Sequence, residues 1–146
     1  MRYWLGLIAL FLIGCAHTDG ASVLVEPGTA AVSPDGTLRE SIGIETLGGV
    51  FTPLLAKGCK IPCSRSQTFS TAEDGQGQIL LRLFRGDAAL AKSTHPLGDF
   101  QIIGISSAPR GEPSIGVEFR ADEDGITLRA VDNNGRSRLS IARVAP

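Results

Sequence analysis

From Ser41 to the end of the chain, apolar residues recur at every second position. Ile42 and Ile44, then Ile79, Leu81 and Leu83, then Ile115, Val117 and Phe119, then Ile126, Leu128 and Ala130, and finally Leu139 and Ile141 each form one apolar row. Successive side chains of an extended chain point to opposite faces, so each row marks one strand with one buried face. Between the rows lie turn residues. Thr46 to Gly49, Thr71 to Gly77, Glu123-Asp124-Gly125 and Asn133-Asn134-Gly135 supply the Gly, Asn and Asp that tight hairpin loops need. No segment keeps a helical period with caps, although Asp87 to Lys92 suits a brief helical turn. Short strands at this spacing predict an all-β antiparallel sandwich over residues 41–146.

The first 40 residues break the pattern. Met1 and Arg2 give a positive start, Tyr3 to Ile13 an apolar run, and small Gly14 precedes Cys15, which is the layout of a signal peptide over residues 1–14. An apolar run of about a dozen residues falls short of the roughly 20 that cross a bilayer. Leu12-Ile13-Gly14-Cys15 also has the form of a bacterial lipobox, in which the cysteine is lipidated and becomes the first mature residue. That predicts attachment to the cell envelope through Cys15, on the periplasmic side. Ala16 stands where an Asp commonly retains such proteins in the inner membrane, which favours the outer membrane. Residues 15–40 then read as the lipidated cysteine and a flexible tether with a reach of roughly 25 to 30 Å. Within it, Val23-Leu24-Val25 could add a short strand.

At 146 residues the chain suits one domain, and 18 Gly and 8 Pro against a single Trp and a single Tyr fit a turn-rich β protein. A net charge of −1 without a Lys/Arg cluster argues against a nucleic-acid partner. A serine nucleophile needs a base, and the two histidines, His17 and His95, stand in no motif. The carboxylates fall mainly in turns, at Asp74, Asp87, Asp122 to Asp124 and Asp132. No glycine-rich segment matches a phosphate loop, so neither nucleotide, cofactor nor catalysis is expected.

Cys59 and Cys63 would both be exported, where a disulfide can persist. Four residues of extended chain span about 13 Å, too far for a bridge, so pairing requires a turn between Gly58 and Pro62. Two separate thiols are the alternative. A metal site would need ligands that His17 and His95 are not spaced to supply.

The run GIETLGGVFT, followed by IP and SQTFSTAEDGQ, and then by LGDFQIIGI, APRGEPSIGVEF and DEDGITLRAVD, resembles the substrate-binding β-domain of the DnaK-type seventy-kilodalton heat-shock chaperones. It extends from about Ser41 to Val144 and implies a peptide cleft. Loops matching Thr46 to Gly49 and Thr71 to Gln76 arch over an extended peptide, with Leu47 and Ala72 bridging across it. Positions matching Ile44, Val50, Phe69, Ile79, Leu81 and Ile115 line a central apolar pocket. Main-chain groups of the loops, around Gly48 for example and with Thr46 and Gln76 nearby, would hydrogen-bond the peptide backbone. Backbone bonding is blind to sequence, and one apolar pocket asks only for a Leu- or Ile-like residue. By alternation alone, the same six apolar residues equally make plain sandwich core.

The sequence also departs from that family. It has no counterpart of the nucleotide-binding domain or the helical lid, and Gly36 to Glu40 holds a single leucine where the family carries a leucine-rich linker. Arg110 matches an arginine that latches the lid. The resemblance therefore implies ATP-independent binding of unfolded or extended polypeptide, as a holdase or adaptor. The alternative is an envelope structural or interaction lipoprotein that keeps the sandwich but not peptide binding.

Overall fold

The computed structural model describes residues 20–28 and 31–145. Nine strands lie among them: β1 Ala21–Pro27, β2 Ile42–Thr46, β3 Val50–Leu55, β4 Cys63–Phe69, β5 Gln78–Arg85, β6 His95–Ile103, β7 Ile115–Asp122, β8 Gly125–Asp132 and β9 Ser140–Val144. They pair antiparallel in two sheets, one of order β1-β8-β7-β4 and one of order β3-β2-β5-β6-β9. The predicted apolar rows of β2, β5, β7 and β8 meet between the sheets, where Phe100, Phe119, Ile42 and Ile115 are fully buried. This is the antiparallel sandwich that the alternation predicts.

Two of the four turn-rich segments join sheets rather than hairpins. Residues 47–49 close the β2–β3 hairpin, and Glu123-Asp124 close β7–β8. Residues 70–77, by contrast, leave β4 in one sheet and enter β5 in the other, and residues 133–139 cross from β8 to β9 in the same way. Glycine- and Asn-rich composition reports that the chain reverses, not which strand it then joins. Loops 47–49, 70–77, 104–114 and 133–139 gather at one end of the sandwich. The predicted helical turn is a single 3-10 turn at Ala91–Ser93.

Residues 21–28 and 31–40 correct the expectation of a flexible tether at those positions. β1 pairs with β8 from Ala21↔Ala130 to Pro27↔Gly125, with a bulge between Leu24 and Glu26. Val25, Ala31 and Leu38 are buried in the common core. Leu38 and Gly36 exchange backbone hydrogen bonds with the β3–β4 connection, through Leu38 N–H to Cys59 O, Gly58 N–H to Leu38 O and Ile61 N–H to Gly36 O, at 3.0, 2.8 and 3.0 Å. The Arg85 guanidinium on β5 sits between Glu26 of β1 at 3.1 Å and Glu40 at 3.0 Å. The Glu40 contact is an ion pair without hydrogen-bond geometry. Burying Val25 and Leu38 stabilises by roughly 1.5–3 kcal/mol each. Too few apolar positions mark this segment for a period to show, yet tertiary pairing orders it. Cys15 lies outside the described residues.

The β3–β4 connection carries Cys59 and Cys63, bonded to each other with their Cα atoms 6.4 Å apart. Gly58, with φ +82°, makes the turn that the pairing requires.

Candidate peptide cleft

Each residue expected at the cleft can be placed on this frame. Ile44 comes from β2, Ile79 and Leu81 from β5, and Ile115 from β7; they are 5, 8, 4 and 0 % exposed. Phe69, partly buried, stands opposite Ile115 in the β4–β7 register. These five form an apolar floor continuous with the core. Val50 is 43 % exposed at the start of β3, on the rim rather than in the floor. Leu47 is 99 % exposed at its loop tip, and Ala72 is exposed on the other loop. The Val23-Leu24-Val25 run belongs to β1 at the edge of the four-stranded sheet and does not fill the cleft.

Local chemistry holds both loops in shape. Gly48 and Gly49 have φ of +83° and +74°, which side-chain-bearing residues adopt only under strain, and Gly49 N–H bonds Thr46 O at 3.0 Å. The tight reversal pushes Leu47 outward. Thr46 Oγ1 meets Thr52 Oγ1 at 2.9 Å across the hairpin. Residues 86–94 brace the same hairpin along the free edge of β3: Phe51 N–H donates to Ala89 O at 3.0 Å and Ala91 N–H to Gly49 O at 2.9 Å.

Loop 70–77 is tied internally by Gln76. Its Oε1 accepts from Ala72 N–H at 2.9 Å and Glu73 N–H at 3.3 Å, and its Nε2 donates to Gln78 O at 2.6 Å. The side chains of Gln76 and Thr46 thus bond within their own loops. Loop 104–114 backs this loop through Gly75 N–H to Ala108 O and Arg110 N–H to Asp74 Oδ1, both 2.9 Å, and through Gly111 N–H to Thr71 O at 3.0 Å. Arg110 therefore acts through its backbone here, with its side chain exposed.

Asp132 organises the third crossing. Its carboxylate accepts N–H bonds from Asn134, Arg136 and Ser137 at 2.9, 3.1 and 2.8 Å. Burial opposes the charge, but the Ser137 side chain and these backbone N–H groups outweigh it and hold the carboxyl below its usual range. Ser137 Oγ then accepts Ser106 N–H at 2.9 Å, linking loop 133–139 to loop 104–114. The sequence marked Asp132 as a turn residue without showing that it holds three donors. Ser70, whose Oγ bonds Pro113 O at 2.5 Å, carried no signal at all.

Leu47 and Ala72 are thus exposed on two loops at the same end of the sandwich, and Ile44, Ile79, Leu81 and Ile115 are buried in the core. A family model described as "Hsp70 protein" matches residues 34–143. The chain belongs to the Hsp70 family. "Chaperone protein DnaK" of Anaplasma marginale (strain St. Maries) is 51 % identical over 86 residues, 59 % of this chain and 13 % of that protein. "Chaperone protein dnaK1" of Synechococcus elongatus is 43 % identical over 104 residues, 71 % of this chain and 16 % of that protein. The chain thus spans well under a quarter of the length of these Hsp70 relatives. The match begins at residue 34, inside the segment expected as tether, in keeping with the burial of Leu38.

Among the described residues, no group of three or more His, Cys, Asp or Glu is placed to hold a metal ion. His95, the one histidine described, is exposed at the start of β6.

Proposed function

We propose that this Hsp70-family domain binds extended apolar polypeptide segments between loops 47–49 and 70–77, without ATP and without catalysis, as a holdase or adaptor at the cell envelope. The observation that carries the reading is Leu47. A leucine left 99 % exposed on a glycine-locked, braced turn above an apolar floor is positioned to cover something that is itself apolar. The envelope part rests on the leader and Cys15, read as the lipid attachment point.

Burying one Leu-sized side chain contributes about 1.5–3 kcal/mol. A few backbone hydrogen bonds add roughly 0.5–1.5 each. Association costs at least about 4 kcal/mol, so the dissociation constant is micromolar or weaker. Titrating a fluorescent Leu-centred heptapeptide with the full chain tests this; a flat anisotropy trace overturns it. Mg-ATP should change neither affinity nor melting temperature. A ligand at 100 times its dissociation constant adds about 2.7 kcal/mol of stability, so ATP binding would show as a thermal shift.

One observation favours the alternative reading as an interaction protein without a working cleft. The floor residues Ile44, Ile79, Leu81 and Ile115 keep at most 8 % exposure, which a sandwich that had closed its pocket would also show. The same titration decides between the two.

A further inference from the structure

The direction of β1 decides which end of the domain an N-terminal anchor approaches. β1 begins at Ala21 opposite Ala130 and ends at Pro27 opposite Gly125. Ala130 lies at the end of β8 that leads into loop 133–139, beside loops 104–114 and 70–77, so β1 starts at the cleft end. Gly20 packs there against Arg129 and Val131. Between Cys15 and Gly20 lie only five Cα-to-Cα steps, which fully extended reach roughly 18 Å at most. β1 itself is roughly 20 Å long at about 3.3 Å per residue. With the domain inverted, Gly20 would stand above the membrane by at least that length plus the loops below Pro27, beyond the reach of the link.

We propose that lipid on Cys15 holds the cleft end of the sandwich against the bilayer, so that the cleft serves apolar polypeptide segments presented at the lipid surface. This rests on the reading of Cys15 as the attachment point. Charge is balanced at this end, Arg110, Arg129, Arg136 and Arg138 standing against Glu73, Asp74, Glu112, Glu118 and the Asp132 carboxylate, so the length of the link sets the orientation. Leu47, on the same end, is then an apolar tip directed at the interfacial zone.

The test uses the full chain, purified with its lipid and reconstituted in phosphatidylethanolamine/phosphatidylglycerol vesicles that carry an acceptor dye on their headgroups. A donor dye is placed on Pro109→Cys at the cleft end or on Glu123→Cys at the opposite end, both exposed positions. The donor at 109 should lose most of its emission and the donor at 123 little. Inserting a Gly/Ser spacer of about 20 residues between His17 and Thr18 should abolish the difference, because such a link reaches past the whole domain. Equal or reversed quenching in the unspaced chain overturns the proposal. The mass of the N-terminal peptide separates the two readings: an acylated Cys15 with reversed quenching sinks the orientation alone, whereas a Cys15 without acyl chains sinks both.

Discussion

The Arg143 guanidinium on β9 donates to the carbonyl oxygen of Val25 on β1, joining residues 118 positions apart in the chain. The same group donates to Leu97 O at 2.9 Å and lies 4.6 Å from the centre of the Phe100 ring. It therefore closes the seam where the edge strands of the two sheets meet. Hydrogen bonds to charged groups contribute about 1.5–3 kcal/mol, and an exposed cation–π contact about 0.5–1. Arg143→Ala should lower stability by about 2–3 kcal/mol, partly offset by water at the freed carbonyls. Urea unfolding gives the magnitude, and hydrogen exchange should rise first in β1. Unchanged protection there would show that the seam does not depend on Arg143.

A chain that begins at Ser41 should not hold the native sandwich. It lacks β1, Ala31 and Leu38, and leaves Arg85 without both of its carboxylate partners. Loss of Val25 and Leu38 alone removes roughly 3–6 kcal/mol, a large part of the 5–15 kcal/mol that keeps a domain folded. Circular dichroism melting of the shortened and full chains side by side checks this. Equal melting temperatures would restore the boundary at residue 41.

Leu47→Ser should leave folding almost unchanged, since a 99 % exposed side chain contributes little to it, and should weaken heptapeptide binding by about ten- to a hundredfold. Ile79→Phe should abolish binding by overfilling the floor, at about 1–3 kcal/mol of stability. Wild-type affinity in both folded variants would place the peptide elsewhere.

Asp132 should contribute to the acid limb of stability. Its carboxyl titrates lower folded than unfolded, so its stabilisation is present above the ordinary carboxylate range and is lost as pH falls through its lowered folded value. Asp132→Asn should cost about 1–3 kcal/mol at neutral pH, because the amide cannot accept from all three N–H donors on two oxygens. It should also flatten the pH dependence below the carboxylate range. A variant with the same acid slope as the parent would assign that slope to other groups.

Cys59 and Cys63 close a loop so short that the chain-entropy model gives about 2 kcal/mol of stabilisation. Thiol titration under denaturing, non-reducing conditions should find neither sulfur free. After reduction, exchange should rise at Leu38 and Ile61, whose amides bond across that loop.

The core was legible because Ile79, Leu81 and Leu83, or Ile115, Val117 and Phe119, repeat with the period of a strand and cannot all face water. Val25, Ala31 and Leu38 are too widely spaced to form a period, and their burial depends on partners more than a hundred residues away in the case of β8. Leu47 and Ala72 could be picked out only by resemblance, since an exposed loop residue leaves no periodic trace. The resemblance gives the place of Gln76 beside the peptide and not its side-chain partners, which are the loop's own amides.

β4 stands at the free edge of its sheet, with Ser64, Arg65, Ser66, Gln67 and Thr68 all exposed. A protein that grips extended apolar chain would treat an apolar edge of another copy as a client. The unpaired outer edge of its own β4 offers hydroxyls, an amide and a cation instead, and so presents nothing that an apolar-binding cleft would select. On the proposed reading, copies held side by side would then stay available to foreign chains rather than occupying one another.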